Sequence, residues 1–382
     1  MAKKAYIGVD GKARKIKKGY IGVDGKARKI KKAYIGIGGV ARPCWSGGVP
    51  AYYGKLTPLN TAKVRLASAS VKNHALFAGG QDSVYNILNT VDSYDGSLTK
   101  GMAPTLSPAR YNLGGASCGE YAYFACGYNS YFQNAVERFN SSLTKTNATG
   151  ALQSADRLAS LSFKQYAMFA GGLYSDDEGY SLYSNACSIY DSSTTRRNGT
   201  LNWAVYGLAG AQVGDYAVFS GGYSGGKINK VQYFNTSFTC SYTTDLTVAR
   251  MSHSGASIGN YALFAGGEQI SGNTNTVEAY NSSLTKTSAT ALSNDRKSMA
   301  SAVLGDYAIF ASGISNSSGI SPLVDMYDKS LTRTVATSLA VGRFEFTGTT
   351  LNNYAIFAGG CTVKSTTGRD TFTNEVEAYI LA

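Results

Sequence analysis

The sequence has few of the residues and patterns that would indicate a metalloenzyme, a membrane protein or a disordered chain. It contains only two histidines, His74 and His253, with six prolines and two tryptophans in 382 residues. Its six cysteines form no Cys-x-x-Cys motif and no metal-site spacing. No apolar run approaches the roughly 18 residues of a membrane span. The basic start of the chain lacks the apolar core and cleavage site of a secretory signal.

The cysteines are therefore expected to be small buried side chains, with disulfide pairing left open. They stand at positions 44, 118, 126, 187, 240 and 361. The few prolines and the lack of a long polar tract argue against extended disorder.

A phrase of seven residues recurs seven times and organises most of the chain. Each copy has a short, mostly apolar strand with a central phenylalanine, and most copies end in two glycines. The copies begin, at spacings of 47, 45, 50, 45, 46 and 47 residues, at His74, Tyr121, Tyr166, Tyr216, Tyr261, Tyr307 and Tyr354. A fixed period in this range is typical of a propeller or a solenoid.

The residues around each phrase decide between these two architectures. In the fifth copy, residues 275–281 alternate polar and apolar side chains, residues 285–289 form a third strand, and residues 255–258 precede the phrase as another. Helical periodicity is almost absent. Four short strands per repeat indicate the blade of a β-propeller.

The repeats resemble those of the Kelch family. The resemblance lies in the diglycine that ends a strand, in the Val-x-x-Tyr pattern after it, and in the segment TVARMSHSGA at residues 247–256 before it. It covers roughly residues 55–382 and implies a ring of blades. The outer strands lack the tryptophan usual in Kelch blades.

The end of the chain predicts how the ring closes. The last copy stops at residues 375–382, one strand short of a blade, and residues 54–58 resemble the outer strands elsewhere. An N-terminal strand that completes the last blade would remove an open sheet edge. We therefore predict an all-β, seven-bladed Kelch-like propeller over residues 55–382, preceded by a linker at 46–54.

Positive charge is concentrated before the ring. Residues 1–45 contain 13 Lys or Arg against two Asp, whereas the remainder contains 23 basic and 22 acidic residues. A basic extension on a nearly neutral ring suggests two separate tasks.

The extension is itself a repeat. Residues 5–18 recur at residues 19–32, and a shortened third copy runs from 33 to 45. Each copy has the pattern of a small β-hairpin with too few apolar residues for its own core. It must stack with its copies, with other subunits or with a partner, so we expect an oligomer. The predicted anchoring residues are Tyr6, Ile7, Tyr20, Ile21, Tyr34, Ile35 and Trp45.

Three roles for the basic hairpins stay open: phosphate contacts with nucleic acid, attachment to an anionic surface, or solubility. The triplet also resembles short repeats that open many proteins of gut bacteria and their prophages. This resemblance covers residues 5–45 and implies an anchoring module that docks onto other structural proteins of an assembly.

Two kinds of loop are predicted to share one face of the ring as a ligand-binding face. A basic residue stands eleven positions before five of the phrases, at Lys63, Arg110, Arg250, Arg296 and Arg343, with Ala155 and Val205 in the other two. The resemblance to Kelch proteins implies that arginines at this position can hold a ligand. The alternative is that they brace the loops. The loops after the diglycines carry aromatic candidates for sugar or protein contacts: Tyr85, Tyr128, Tyr131, Phe132, Tyr174, Tyr180, Tyr183, Tyr223 and Phe372.

An enzyme is not expected. Kelch-like propellers include copper radical oxidases, whose site needs two histidines, tyrosines and a cysteine. His74, however, occupies a strand start where the other six phrases have Tyr, and His253 follows a turn in a context common in non-catalytic Kelch blades. We expect no cofactor and no metal.

The sequence thus predicts a non-enzymatic structural or recognition protein of a phage or phage-like particle. Its hairpins would anchor it and its propeller would bind a protein or glycan on a host surface, in a virion or extracellular particle. The alternative is a cytoplasmic Kelch-type adaptor for protein interactions.

Overall fold

A computed structural model describes residues 48–363 and 370–381, and the backbone of six strands between residues 6 and 45. All regular elements in this part of the chain are β-strands. None of its residues forms a helix long and apolar enough to cross a membrane.

Seven four-stranded antiparallel sheets form the blades, as the repeat predicts. Blades 1 to 3 comprise Ala67–Val71, His74–Ala78, Val91–Asp95 and Lys100–Ala103; then Gly114–Cys118, Tyr121–Ala125, Val136–Asn140 and Lys145–Asn147; then Ala159–Phe163, Tyr166–Ala170, Ala186–Tyr190 and Arg196–Thr200. Blades 4 and 5 comprise Ala209–Val213, Tyr216–Ser220, Val231–Phe234 and Cys240–Tyr242; then Ser254–Ile258, Tyr261–Ala265, Val277–Asn281 and Lys286–Ala289. Blades 6 and 7 comprise Ala300–Leu304, Tyr307–Ala311, Val324–Asp328 and Arg333–Val335; then Thr347–Leu351, Tyr354–Ala358, Val376–Ile380 and Ala51–Lys55.

The recurring phrase is the second strand of every blade, and the core lies between neighbouring blades. First strands contact each other around the central channel, so they form the inner wall of the ring. Phe264 of the phrase is fully buried and packs edge-on against Tyr280 of the third strand, with ring centroids 6.0 Å apart. The Tyr280 hydroxyl donates to the Thr244 carbonyl of the preceding blade at 2.8 Å. Packing and hydrogen bonding therefore join each blade to the next.

An N-terminal strand closes the ring, as predicted. Ala51–Lys55 is the outer strand of blade 7 and pairs antiparallel with Val376–Ile380. It begins three residues before the predicted 54–58 segment, inside the predicted linker, because Tyr52 and Tyr53 supply the contacts. The Tyr52 hydroxyl donates to Glu377 at 2.6 Å, and Tyr53 packs edge-on against Tyr354.

The two faces of the ring differ. On the loop face, second strands end in the diglycine and the variable loops begin. The opposite, turn face carries tight turns such as that after Asp95, whose Oδ1 accepts the N–H groups of Ser97 and Thr99 at 2.8 and 2.9 Å. Ala51 pairs with Ile380 at the turn-face end of blade 7, so the N-terminal extension enters the ring from the turn face.

The two diglycine positions have different backbone requirements. The first has φ near +60°, and Cys126 and Ser312 adopt φ of 62° and 54° there. The second has φ between 105° and 115° in all seven copies. That region is open in practice to glycine alone. The second glycine is therefore present in every copy, while the first is replaced twice.

Short hairpins complete the described structure. Three at the N-terminus match the predicted triplet: Tyr6–Val9 with Lys12–Lys15, Tyr20–Val23 with Lys26–Lys29, and Ala33–Ile37 with Val40–Trp45. Five more lie in loops: Tyr128–Asn129 with Tyr131–Phe132, Leu173–Ser175 with Ser181–Tyr183, Glu268–Gln269 with Gly272–Asn273, Ile314–Ser315 with Gly319–Ile320, and Cys361–Val363 with Thr371–Phe372.

Candidate functional site at the mouth of the central channel

Both kinds of loop meet on the loop face, as the repeat predicts. The residue after each diglycine forms a β-bridge with the residue that follows the repeated basic position, as in Tyr111 with Tyr128 and Tyr206 with Tyr223. These bridges join the two loop types in every blade, and the bridge residues Tyr111, Tyr206 and Met251 face the channel.

A ring of left-handed residues forms the rim of the channel. One residue per blade has φ between 50° and 66°: Arg65, Asn112, Arg157, Gly207, Ser252, Ser298 and Glu345. Backbone N–H groups of this ring donate to the carbonyl of the preceding member, as from Asn112 to Arg65 at 3.0 Å and from Gly207 to Arg157 at 3.0 Å. The rim is thus a backbone scaffold from which each blade projects a different side chain.

The rim encloses a concave cavity of about 520 Å³. Its wall includes Arg65, Tyr111, Asn112, Arg157, Tyr206, Met251, Ser252 and Glu345. Below it, small residues such as Ser68, Gly115 and Ser301 line a narrower cavity of about 280 Å³ in the channel. The upper cavity is within the size range of small-ligand sites.

Two groups of one arginine and two tyrosines recur around the mouth. Arg65 lies 5.9 Å from the ring centroid of Tyr111, which packs on Tyr128 at 5.7 Å. Arg157 lies 5.7 Å from the Tyr206 ring, which packs on Tyr223 at 5.5 Å. Each arginine contacts a tyrosine of the next blade, so these cation–π contacts cross blade boundaries.

The cations at the mouth lie beside carboxylates. Arg65 Nε is 2.8 Å from Glu345. Outside the cavity wall, Lys227 and Lys297 approach the two oxygens of Glu268 at 3.0 and 2.5 Å, and these lysines lower the pKa of Glu268. Among the described residues of the wall, the charge of Arg65 is thus balanced by Glu345.

Arg157 differs because its partner carboxylate is buried. Its Nε is 3.4 Å from Asp156, which also accepts a hydrogen bond from Asn112 at 2.9 Å. Burial raises the pKa of Asp156 above its usual range, although Arg157 and Asn112 oppose that shift. The other oxygen of Asp156 has no hydrogen-bond partner among the described residues.

The five basic residues predicted for the ligand face lie in the interior instead. Lys63, Arg110, Arg250, Arg296 and Arg343 are all fully buried. Each pairs with a carboxylate on the third strand of its own blade: Lys63 with Asp92 at 3.0 Å, Arg110 with Glu137 at 2.9 Å, Arg250 with Glu278 at 3.0 Å, Arg296 with Asp325, and Arg343 with Glu377 at 2.9 Å. Their side chains are therefore not available to a ligand on the surface. They brace the loops, as the alternative interpretation of the sequence predicts.

The two blades that lack the basic residue also lack the acid. Opposite the phrase phenylalanine, blade 3 has Ser188 and blade 4 has Gln232 where the other blades have Asp or Glu. Both still accept a backbone N–H from the incoming loop, Ser188 from Leu152 at 2.8 Å and Gln232 from Trp203 at 3.0 Å. An uncompensated buried charge is costly, so the members of a pair are lost together.

The predicted aromatic residues divide into three groups. Tyr128 and Tyr223 belong to the two mouth groups described above. Tyr131 and Tyr180 are exposed at loop tips, by 64% and 66%. Tyr174 and Phe372 are half-buried, and Phe372 packs edge-on against Tyr85 at 6.2 Å.

Sequence reasoning missed the principal residues of the mouth: Arg65, Tyr111, Arg157 and Tyr206. Their positions in the repeat could have indicated them, because they stand one or two positions after the repeated basic position. The residue type at these positions differs from copy to copy, so no recurring pattern marks them. The predicted anchoring side chains, Tyr6, Ile7, Tyr20, Ile21, Tyr34, Ile35 and Trp45, lie outside the described side chains, although their backbone positions fall in the hairpin strands.

The histidines and cysteines occupy structural positions. His253 is buried, its Nε2 lies 2.9 Å from Ser220 Oγ, and burial followed by the charge of Arg250 lowers its pKa well below the usual value. Cys118, Cys126 and Cys187 are buried and Cys240 is half-buried, and none of these four forms a disulfide with another described residue, while Cys361 is buried. Within the described residues, no three His, Cys, Asp or Glu side chains are grouped as metal ligands.

Comparisons with known proteins bear on the fold alone. No family model and no curated protein sequence matches the chain. Among solved structures, the chain is similar to one described as "Structure of YjhT", with a TM-score of 0.58 and 12% identity. The similarity covers 74% of this chain and 99% of that one. It agrees with the β-propeller fold, and the likeness to Kelch repeats remains a resemblance of sequence motifs.

Proposed function

We propose that this protein is a non-enzymatic recognition component of a phage or phage-like particle. In this proposal the N-terminal hairpins attach to other structural proteins of the particle. The propeller presents its loop face to a ligand on a host surface. The protein then resides in a virion or extracellular particle.

The polarity of the ring is the observation that carries this proposal. The basic extension enters blade 7 at the turn face, and the cavity with its tyrosines lies on the loop face. An anchor at one end and a variable loop surface at the other is the arrangement that such a component needs. The charge layout of +11 before residue 46 and near neutrality after it fits the same division.

A cytoplasmic adaptor is the second candidate. The exposed tyrosines and Ile270 at the loop tips would suit a protein partner, since aromatic and large apolar side chains dominate binding hot spots. In that case the hairpins would bind a partner other than a particle, and nucleic acid is one such partner for their basic residues.

Density-gradient fractionation of particles from an induced culture of the source organism tests the proposal. We expect the full chain to sediment with capsid or tail proteins, as detected by mass spectrometry, and a chain lacking residues 1–50 to stay at the top. An Ile270→Ser variant on the loop face is the matched control and should sediment like the full chain. Recovery of the full chain only among soluble proteins would favour the adaptor.

Metal analysis of the purified protein and a screen for oxidase activity test the non-enzymatic part of the proposal. We expect neither a stoichiometric metal nor turnover.

A further inference from the structure

We propose that the cavity on the loop face binds a neutral saccharide, with the tyrosines of blades 3 and 4 as its platform. This inference rests on the proposed function and names the chemical class of the ligand at the same site.

The charges of the cavity favour a neutral ligand over an acidic one. Arg65 is engaged by Glu345 through Nε at 2.8 Å and donates from Nη1 to Gln81 at 3.3 Å. Arg157, the other cation of the cavity wall, has its Nε 3.4 Å from Asp156. An anionic ligand would have to displace these carboxylates or accept their repulsion, whereas a neutral ligand leaves every pair intact.

The tyrosines supply a ring surface with free hydroxyl groups. Tyr206 lines the cavity and packs in a triangle with Tyr183 and Tyr223, which lie beside the cavity, with centroids 5.8, 5.9 and 5.5 Å apart, and all three are only half-buried. No described residue forms a hydrogen bond with their hydroxyl groups. A sugar ring presents an apolar C–H face that can lie on such rings, and its hydroxyls can donate to and accept from tyrosine O–H groups.

Arg157 adds directional donors beside this platform. Its Nε faces Asp156, and its terminal nitrogens have no partner in the described part of the chain. Half of its side chain is exposed, at 49%. The planar guanidinium is thus held above Tyr206 at 5.7 Å with donors left for sugar oxygens.

The same two blades depart from the rest of the ring in a second, independent way. Each blade has one loop residue whose backbone N–H donates to the third strand, and in five blades this residue is small or polar: Asn60, Ser107, Thr247, Ser293 and Ala340. Blades 3 and 4 carry Leu152 and Trp203 there, exposed by 39% and 41%. Blades 3 and 4 are also those without a buried ion pair. This sector therefore offers apolar area beyond the cavity for further sugar residues of a chain.

An oligosaccharide array that carries neutral and acidic chains, probed with the full-length protein, tests the inference. We expect binding to neutral chains that changes less than about twofold between low and high salt, since no net charge is screened. Tyr206→Ala should weaken binding about tenfold or more, and Tyr206→Phe by a smaller factor, because the ring remains. Tyr242→Ala, which alters an exposed tyrosine on an outer strand, is the matched control and should bind like wild type.

Thermal unfolding of each variant separates loss of binding from loss of fold, and Tyr223→Ala replaces Tyr206→Ala if the latter does not fold. Binding restricted to acidic chains, a steep fall with salt, or equal losses for Tyr206→Ala and Tyr242→Ala would overturn the inference. Absence of any array binding would overturn it as well. The proposed function is decided separately, because particle association through residues 1–50 does not depend on the ligand.

Discussion

At the scale of single residues, the repeated arginine or lysine before five of the phrases is a buried structural residue and not the ligand-binding residue that its position predicts. The period of the repeat and the charge of the side chain predict correctly that Arg250 and its equivalents lie in the loop before the phrase. They did not indicate burial, because the acid that pairs with Arg250 stands 28 residues later on another strand, at Glu278. The joint loss of both partners in blades 3 and 4 was a visible signal, and it would have identified the pairs.

Replacement of one buried pair by the residues of blade 4 should show this coupling. We expect Glu278→Gln to lower the free energy of unfolding by about 3–5 kcal/mol, since it leaves the buried Arg250 without its carboxylate. Arg250→Val should cost less, because Lys286 remains 3.2 Å from Glu278. The double variant copies Val205 and Gln232. It should lose less than the sum of the two, with a coupling of about 1–3 kcal/mol.

Chemical denaturation of the four proteins in the cycle measures this coupling. The exposed pair of Lys164 and Asp215 on the turn face, 2.7 Å apart, is the control, and its cycle should give a coupling of less than about 1 kcal/mol. Additive losses at Arg250 and Glu278 would show that the two residues do not depend on each other.

Asp156 predicts a pH dependence of stability. Because burial raises its pKa in the folded protein, the folded state binds the proton more tightly than the unfolded state. Its contribution to stability therefore falls as pH rises from the unfolded value of 3.8 through the folded pKa. Asp156→Asn should be more stable than wild type at neutral pH, since a buried charge is removed.

That difference should shrink as pH falls through the folded-state pKa of Asp156, because the wild-type carboxyl then becomes neutral as well. Denaturation midpoints of both proteins across this pH range measure it. A variant less stable than wild type at neutral pH would mean that the contacts of Asp156 with Arg157 and Asn112 outweigh its burial.

At the scale of elements, the blades could be predicted from sequence because the information is local and repeated. Strand alternation, the apolar phrase and the glycine at each turn all lie within one repeat of 45 to 50 residues. Ring closure could also be predicted from the strand that the last repeat lacks, but the predicted bounds of the closing strand differ from those in the structure. The pattern of outer strands led to residues 54–58, whereas the hydrogen bond of Tyr52 to Glu377 and the packing of Tyr53 on Tyr354 determine where the strand lies.

Truncation tests the closing strand. A chain that begins at Ala51 should unfold at nearly the same temperature as the full chain, because it keeps the pairing of Ala51–Lys55 with Val376–Ile380. A chain that begins at Leu56 loses the strand and exposes the edge of Val376–Ile380. We expect it to be destabilised by roughly 3–5 kcal/mol, from the apolar area it no longer buries, and to associate through the open edge. Thermal unfolding and size-exclusion chromatography distinguish the two chains, and equal stability would show that the strand does not close the ring.

At the scale of the whole molecule, the sequence predicts the fold in much more detail than it predicts the candidate site. A propeller fixes where its loops lie, and the repeat showed that both loop types share a face. The mouth itself depends on residues that differ from blade to blade on the common rim, such as Arg157 and Ser298. Variation of this kind carries no period, so only the three-dimensional arrangement assembles Arg157, Tyr206, Tyr223 and Tyr183 into one surface.

In the proposed function the anchor and the recognition face lie on opposite faces of the propeller, and the accessibility of epitope tags on intact particles tests this orientation. A short epitope inserted after Ile270, exposed by 91% at a loop-face tip, is compared with the same epitope inserted after Asp306 in a turn-face loop. Both tagged proteins must first be shown to fold and to sediment with particles. We expect an antibody to capture intact particles through the loop-face epitope and far fewer through the turn-face epitope. Capture through the turn-face epitope alone would contradict it, since the propeller would then direct its cavity toward the particle.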